Sequence, residues 1–204
     1  MERYFASTGW MLDFARTSRA RLMRSFVLEM PAWAFFLDYV VYPPVILILL
    51  YLGFEDAGLG QIMAGCAMVL AGVMTWTLAE YLIHRFAFHH APILKPIHMA
   101  HHDAPRGLSG TPTFVTLIVF YAMVYWPLKV LMGPDLASTG TAGLMLGYLA
   151  YVSVHYIVHH RGSGGVRMVR KLIRVHAVHH HDTNHNFGVT SDLWDRVFGT
   201  LARR

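Results

Sequence analysis

The chain is poor in cysteine, poor in charge, and without a glycine-rich nucleotide fingerprint. One cysteine, Cys66, stands among 204 residues. That excludes an internal disulfide and any metal site built on several thiolates. Cys66 lies in an apolar run and reads as a packing residue. Charged residues make up 14% of the chain against 55% hydrophobic, too apolar a balance for an ordinary soluble domain and the mark of a membrane protein. No G-x-G-x-x-G stretch is present, and no whole structural unit repeats along the chain. The N-terminus lacks a short apolar core followed by a small-residue cleavage site, so no cleaved signal peptide is expected. The net charge of +5 does not imply nucleic acid here. In a chain this apolar, basic residues set topology and meet anionic headgroups.

Four segments are long and apolar enough to cross a bilayer: residues 32–54, 61–83, 114–132 and 139–158. The first carries Asp38 and an internal Pro43–Pro44 pair, which predicts a kink or a later start. The third ends near Lys129, whose stem can snorkel to the headgroups. Arg3, Arg16, Arg19, Arg21 and Arg24 precede the first span. Arg85, Lys95 and Arg106 fall between the second and third. Arg161, Arg167, Arg170, Lys171 and Arg174 follow the fourth. The remaining two connections hold Glu55, Asp56 and Asp135 and no Lys or Arg. The positive-inside rule then places both termini and the long central loop in the cytoplasm. Residues 1–31 mix Trp10, Leu12, Phe14, Leu22, Met23, Phe26 and Val27 with arginines. They read as an interfacial amphipathic segment or as a plain topogenic leader. Residues 32–204 form the membrane domain. A G-S-G-G turn at 162–165 separates the fourth span from a last helix.

What the chain has in excess is histidine, with 14 residues. They stand in four clusters at or beyond the ends of apolar segments, and the charge-derived topology puts all four on one side. His98, His101 and His102 are spaced i, i+3, i+4, and so are His176, His179 and His180, so each triplet shares one helical face. His155 and His159 are one turn apart. His84 and His89 are five apart, poor spacing for an α-helix, and they converge if the second span unwinds before Pro92. Neutral imidazole is a ligand for zinc, copper, iron and nickel, and ten of them can surround two ions. His90, His160, His181 and His185 fall outside the repeated spacing and read as interfacial anchors. Glu80, one turn before His84, and Asp103 and Asp182, which follow two clusters, are candidate hydrogen-bond partners for the imidazoles. A low-complexity metal buffer is not the pattern, because the clusters sit in patterned helices. A bis-histidine haem carrier needs His pairs facing one another inside the bundle. A transporter calls for polar residues through the spans, whose interiors here are nearly free of ionisable groups.

Four stretches carry a family resemblance: residues 80–90 (E-Y-L-I-H-R-F-A-F-H-H), 98–105 (H-M-A-H-H-D-A-P), 155–162 (H-Y-I-V-H-H-R-G) and 176–200 (H-A-V-H-H-H-D-T-N-H-N-F-G-V-T-S-D-L-W-D-R-V-F-G-T). In order and spacing the chain resembles the fatty acid hydroxylase/sterol desaturase superfamily. The H-R-x-x-F-H form of the first box is most similar to the fatty acid 2-hydroxylase branch. The resemblance implies an all-α integral membrane four-helix bundle with a cytoplasmic histidine-rich helical cap. It implies a non-haem centre of two iron ions, which zinc can replace on purification, and dioxygen as co-substrate. It implies hydroxylation or desaturation of a lipid C–H. Its ligands fall on His84, His89, His98, His101, His102, His155, His159, His176, His179 and His180. The segment 187–200 corresponds to the part that closes the family's cap, with Trp194 and Phe198 at the interface. The stretch after His102 is shorter than in acyl hydroxylases, and His181 and His185 are additional. Electrons are expected from a separate protein, for which the basic run from Arg161 to Arg174 is a candidate docking face.

Overall fold

The computed structural model describes residues 30–202, so the expected interfacial segment lies almost wholly outside the described residues. Among these residues there are helices and no strands. Four helices cross-span in length and composition: α1 (Ala32–Phe54), α2 (Leu59–Phe88), α4 (Thr113–Met132) and α5 (Pro134–His160). Three others, α3 (Leu94–Asp103), α6 (Arg167–His181) and the short α7 (Leu193–Val197), gather at one end. The protein is a multi-pass integral membrane helix bundle. Its outer faces carry apolar side chains such as Leu131, 78% exposed, and Leu70, 68% exposed, as a lipid-facing surface requires.

Each expected span is present, and two details differ from the sequence reading. Helix α1 runs unbroken through Pro43 and Pro44; neighbouring helices support the backbone there, as bundles in lipid allow. Cys66 is exposed on α2 rather than packed. Lipid is as apolar as a protein core, so hydropathy alone does not separate the two environments.

Helices α2 and α5 touch through glycine. A Cβ on Gly143 would lie 2.2 Å from the Val69 carbonyl oxygen, and one on Gly72 would lie 2.4 Å from that of Gly140. Such backbone-to-backbone contact is how helices gain packing energy in lipid, where no hydrophobic drive exists between them. Below the contact, Tyr42, Phe120 and Tyr148 join Ile46, Ala142 and Met145 in the core. Trp76 packs edge-on to Tyr148 at 5.2 Å. Asp38, which the sequence presented as a blemish in a span, is buried. It accepts hydrogen bonds from the Thr113 hydroxyl at 2.7 Å and the Tyr148 hydroxyl at 2.6 Å, tying α1 to α4 and α5.

Helix α4 widens to a π-helical turn at Phe120–Tyr125, just before Pro127, which lacks the N–H an α-helix would use there. A second π-helical turn, Ile83–Phe88, ends α2. It decides the geometry of the site.

Candidate metal centre

His84 and His89 are separated by five residues. In an α-helix that spacing turns them apart; in a π-helix, with hydrogen bonds from i to i+5, it stacks them on one face. The helix does not unwind here. It widens through Ile83–Phe88 and brings the two rings to 5.2 Å. The odd spacing was itself the signal.

Nine of the ten candidate imidazoles form two groups. His84, His89, His98, His102 and His179 make one, and His101, His155, His159 and His176 the other; in each, the candidate ligand nitrogens all lie within 4.8 Å of one another. The tenth, His180, adjoins the second group, with its Nε2 3.1 Å from that of His176. Helix α3 serves both groups. Its i, i+4 pair, His98 and His102, faces the first, and His101 faces the second, where its Nε2 is 3.1 Å from His155 and 3.2 Å from His159. Helix α6 divides likewise, sending His179 to the first and His176 and His180 to the second.

The chemistry of these contacts points to cations. Throughout both groups, Nε2 faces Nε2: 3.0 Å for His84 and His98, 3.1 Å for His89 and His179, 2.9 Å for His159 and His176. The Nδ1 of His84 lies 2.5 Å from the Phe187 carbonyl oxygen and that of His179 lies 2.7 Å from the His185 carbonyl oxygen. A carbonyl only accepts, so both Nδ1 atoms carry the proton and both Nε2 atoms present lone pairs. Several lone pairs converging within a few ångströms repel unless a positive charge sits among them. Imidazole-rich sets of this kind fit transition metals.

Protons are poor candidates for that charge. Burial, reinforced by neighbouring imidazoles, lowers His101 and His179 to about 3 and His180 to about 2. His98 and His176 are also held far below the ordinary imidazole range, for the same reasons. The sign of the linkage follows. In the unfolded chain these groups protonate near 6.5; folded, His101 and His179 resist until about 3. Between those values the unfolded chain binds more protons, so stability falls as pH falls. The thermal midpoint of chelator-stripped protein is therefore expected to drop steadily from pH 6.5 towards 4. A flat profile would contradict it.

The remaining candidates take other places. His90 contacts the Arg85 carbonyl oxygen at 2.9 Å, His160 stacks on Tyr156 at 4.6 Å, and His185 pairs with Asp182 at 2.8 Å. His181 is exposed. None of these four belongs to either group. Glu80 does not hold His84, whose Nδ1 is already engaged. It accepts instead from Val189 and Thr190. Asp182 turns to His185 and Asn184. Burial lowers His102, and the charge of the neighbouring Asp103 opposes that shift without overcoming it. Sequence reasoning missed the backbone carbonyls of Phe187 and His185 and the carboxylate of Asp195, which accepts from the loop's N–H groups. Trp194 donates to the Thr77 hydroxyl at 3.0 Å and Phe198 stacks on Tyr81 at 5.2 Å, so the terminal segment clasps α2.

A small recess opens beside the second group, with Phe35, Ser109 and Tyr156 in its wall next to His101, His155 and His159.

Residues 69–200, which hold both histidine groups and the segment that closes over them, match the fatty acid hydroxylase family. The chain belongs to that family. Among its relatives is a ceramide very long chain fatty acid hydroxylase of Saccharomyces cerevisiae, 32% identical over 197 residues, covering 89% of this chain and 49% of the relative. A dihydroceramide fatty acyl 2-hydroxylase of Arabidopsis thaliana is 34% identical, covering 67% of this chain and 64% of the relative. The fatty acid 2-hydroxylase of Homo sapiens is 31% identical, covering 66% and 39%. This member of the family thus spans about half of the yeast relative and under two thirds of the plant one. A solved structure, described as full-length scs7p with only its hydroxylase domain visible, superposes with a TM-score of 0.71 at 26% identity. The overlap covers 87% of this chain and 69% of that one.

Proposed function

We propose that the chain is an oxygen-dependent lipid hydroxylase acting on a fatty acyl or related lipid C–H through two iron ions. The observation that carries this reading is the pair of converging imidazole groups at the mouth of an apolar bundle, in a chain of the fatty acid hydroxylase family. His84, His89, His98, His102 and His179 would hold one ion, and His101, His155, His159, His176 and His180 the other. All-nitrogen sets also accept zinc, which is expected to compete on purification. When bound, the metals supply activation of dioxygen, chemistry that no side chain provides alone.

The protein's own part is binding, orientation and exclusion of water. The ten imidazoles come from four helices, so the bundle must be assembled before either site exists. The recess beside His101, His155 and His159 is where a lipid carbon would approach, between the aromatic walls of Phe35 and Tyr156. Its enclosed space is little more than a water molecule needs, far short of the roughly 300–1,000 Å³ usual for ligand clefts, so an acyl chain must move side chains or enter from the lipid side. Dioxygen and lipid are the co-substrates of this reading. Nucleic acid has no part in it.

The distribution of Lys and Arg supports placing the histidine end and both termini in the cytoplasm, with residues 1–31 at the interface and residues 32–204 as the metal-binding unit. Reducing equivalents would come from an external electron-donor protein. Arg167, Arg170 and Arg174 are exposed on α6, the helix that also carries His176, His179 and His180. An acidic donor docked there would lie one helix width from the metals.

Untargeted lipid mass spectrometry on cells expressing this chain, beside cells expressing His179→Ala, tests the reading. A lipid that gains one oxygen with the unsubstituted chain and not with the variant is expected. A product set identical in both would refute it.

A further inference from the structure

The loop of residues 185–190 lies against the first histidine group, and its backbone is held to an unusual degree. Asn186 takes a left-handed conformation, φ 58°, and donates its N–H to the Thr200 carbonyl oxygen at 2.9 Å. The next two N–H groups, of Phe187 and Gly188, each donate to one oxygen of Asp195, both at 2.8 Å. The following two, of Val189 and Thr190, donate to one oxygen of Glu80 at 2.6 and 2.9 Å, and the Thr190 hydroxyl donates to the other at 2.7 Å. Five successive N–H groups are therefore fixed, four of them by two carboxylates from different helices. Asp195 is 0% exposed and Glu80 4%. Burying two carboxylates is costly unless each is hydrogen-bonded, and here every bond goes to this loop or to the segment that closes on it.

Asp195 is braced in turn. The Thr200 hydroxyl donates to it at 2.7 Å. That uses the one proton of Thr200, so the Tyr81 hydroxyl must be the donor in its 2.9 Å contact with Thr200. Arg85 then donates to Tyr81 at 2.8 Å. The relay runs from the π-helical end of α2 to the loop without a mismatched donor.

What the loop presents in return is a pair of carbonyls. His185 and Phe187 offer their oxygens to the Nδ1 atoms of His179 and His84, and both imidazoles belong to the first group. In the second group no backbone carbonyl plays this part among the described contacts. There the His101 Nδ1 meets the Ser109 hydroxyl, at 3.2 Å, and the Nδ1 atoms of His176 and His180 are buried without a partner, as is that of His102 in the first group, which keeps two carbonyl-held rings where the second has none.

We propose that Asp195 and Glu80 are positioning residues for the first metal site alone: they fix loop 185–190 so that its two carbonyls hold His84 and His179 with Nε2 free for the metal. The two sites are unequal as a consequence. The first is preorganised and binds the tighter ion; the second, with looser imidazoles, fills last and empties first. This inference rests on the metal-centre reading above and adds the order of filling and the residues that set it.

Zinc titration of chelator-stripped full-length protein against a chromophoric chelator tests it, with helix content followed by circular dichroism. Two classes of site are expected in the unsubstituted chain. His84→Ala removes the tight class and His155→Ala the weak one. Asp195→Asn places an amide N–H against the Gly188 N–H and should weaken the tight class by about 10–100-fold, the usual cost of losing a partner behind a ligand, leaving the weak class and the helix content unchanged. Glu80→Ala should do the same from the other end of the loop. Glu80→Gln should restore tight binding, because one amide oxygen still accepts both N–H groups. Equal weakening of both classes, or no change in the tight class with either Asp195→Asn or Glu80→Ala, would overturn the proposal and leave the metal centre standing. Absence of zinc binding in the unsubstituted chain would overturn both.

Discussion

Alanine in place of His84 or His155 is expected to abolish lipid hydroxylation while the bundle stays inserted and helical. Each imidazole contacts others of its own group through Nε2: His84 reaches His98 at 3.0 Å, and His155 reaches His101 at 3.1 Å. Losing a group that merely orients a ligand costs about 10–100-fold in metal affinity or activity. Losing the ligand itself should cost more than about 100-fold, and a loss from either group should suffice, since the proposed chemistry needs both ions. The two variants differ in metal content rather than in activity: His84→Ala retains the second ion and His155→Ala the first. Product formation at more than a tenth of the unsubstituted level in either variant would show that its group is dispensable. The bundle should survive both changes because the buried core is built from Tyr42, Ile46, Phe120, Ala142, Met145 and Tyr148, away from these rings.

The second large effect lies in the membrane. Gly143→Leu is expected to prevent α2 and α5 from closing. A Cβ there meets the Val69 carbonyl oxygen at 2.2 Å and its carbon at 2.9 Å, and backbone cannot rotate aside as a side chain can. Overpacking by added methylenes costs about 1–3 kcal/mol where side chains adjust; with backbone as the obstacle the cost should reach or exceed the upper end. Because α2 brings His84 and His89 and α5 brings His155 and His159, separating them disperses both groups. The variant should lose metal and thermal stability in detergent together. Gly60→Leu is the control, since nothing lies within 4 Å of a Cβ at that position, and its midpoint should match the unsubstituted chain. Equal midpoints for Gly143→Leu and Gly60→Leu would contradict the close approach.

The spans were legible in the sequence because lipid makes one demand on all of them, about twenty apolar residues with no unpaired backbone. Their ends were less so. Helix α2 extends to Phe88, past the residue where hydropathy fades, because a π-helical turn carries His84 and Arg85, which no apolar window scores. The i, i+3, i+4 triplets were legible for the same reason any helical face is: spacing alone fixes direction. Membership in two separate groups was not. His101 and His102 are adjacent in sequence and serve different groups, which only the packing of α3 between α2 and α5 decides. The loop carbonyls of His185 and Phe187 were invisible, since every residue has one and nothing in the side chain marks which will be aimed at a ring. Glu80 was noticed for its spacing from His84 and found in another role, as an acceptor for N–H groups 109 and 110 positions away. Cys66 faced outward because apolar composition does not distinguish core from lipid.

Oxygen-18 labelling is the most direct test of the proposed activity. Membranes holding the chain, an electron donor and lipid are incubated under labelled dioxygen in ordinary water, and in parallel under ordinary dioxygen in labelled water. The product hydroxyl is expected to carry one labelled atom in the first case and none in the second. A hydroxyl drawn from water, or a product without added oxygen, would contradict a monooxygenase built on these histidines.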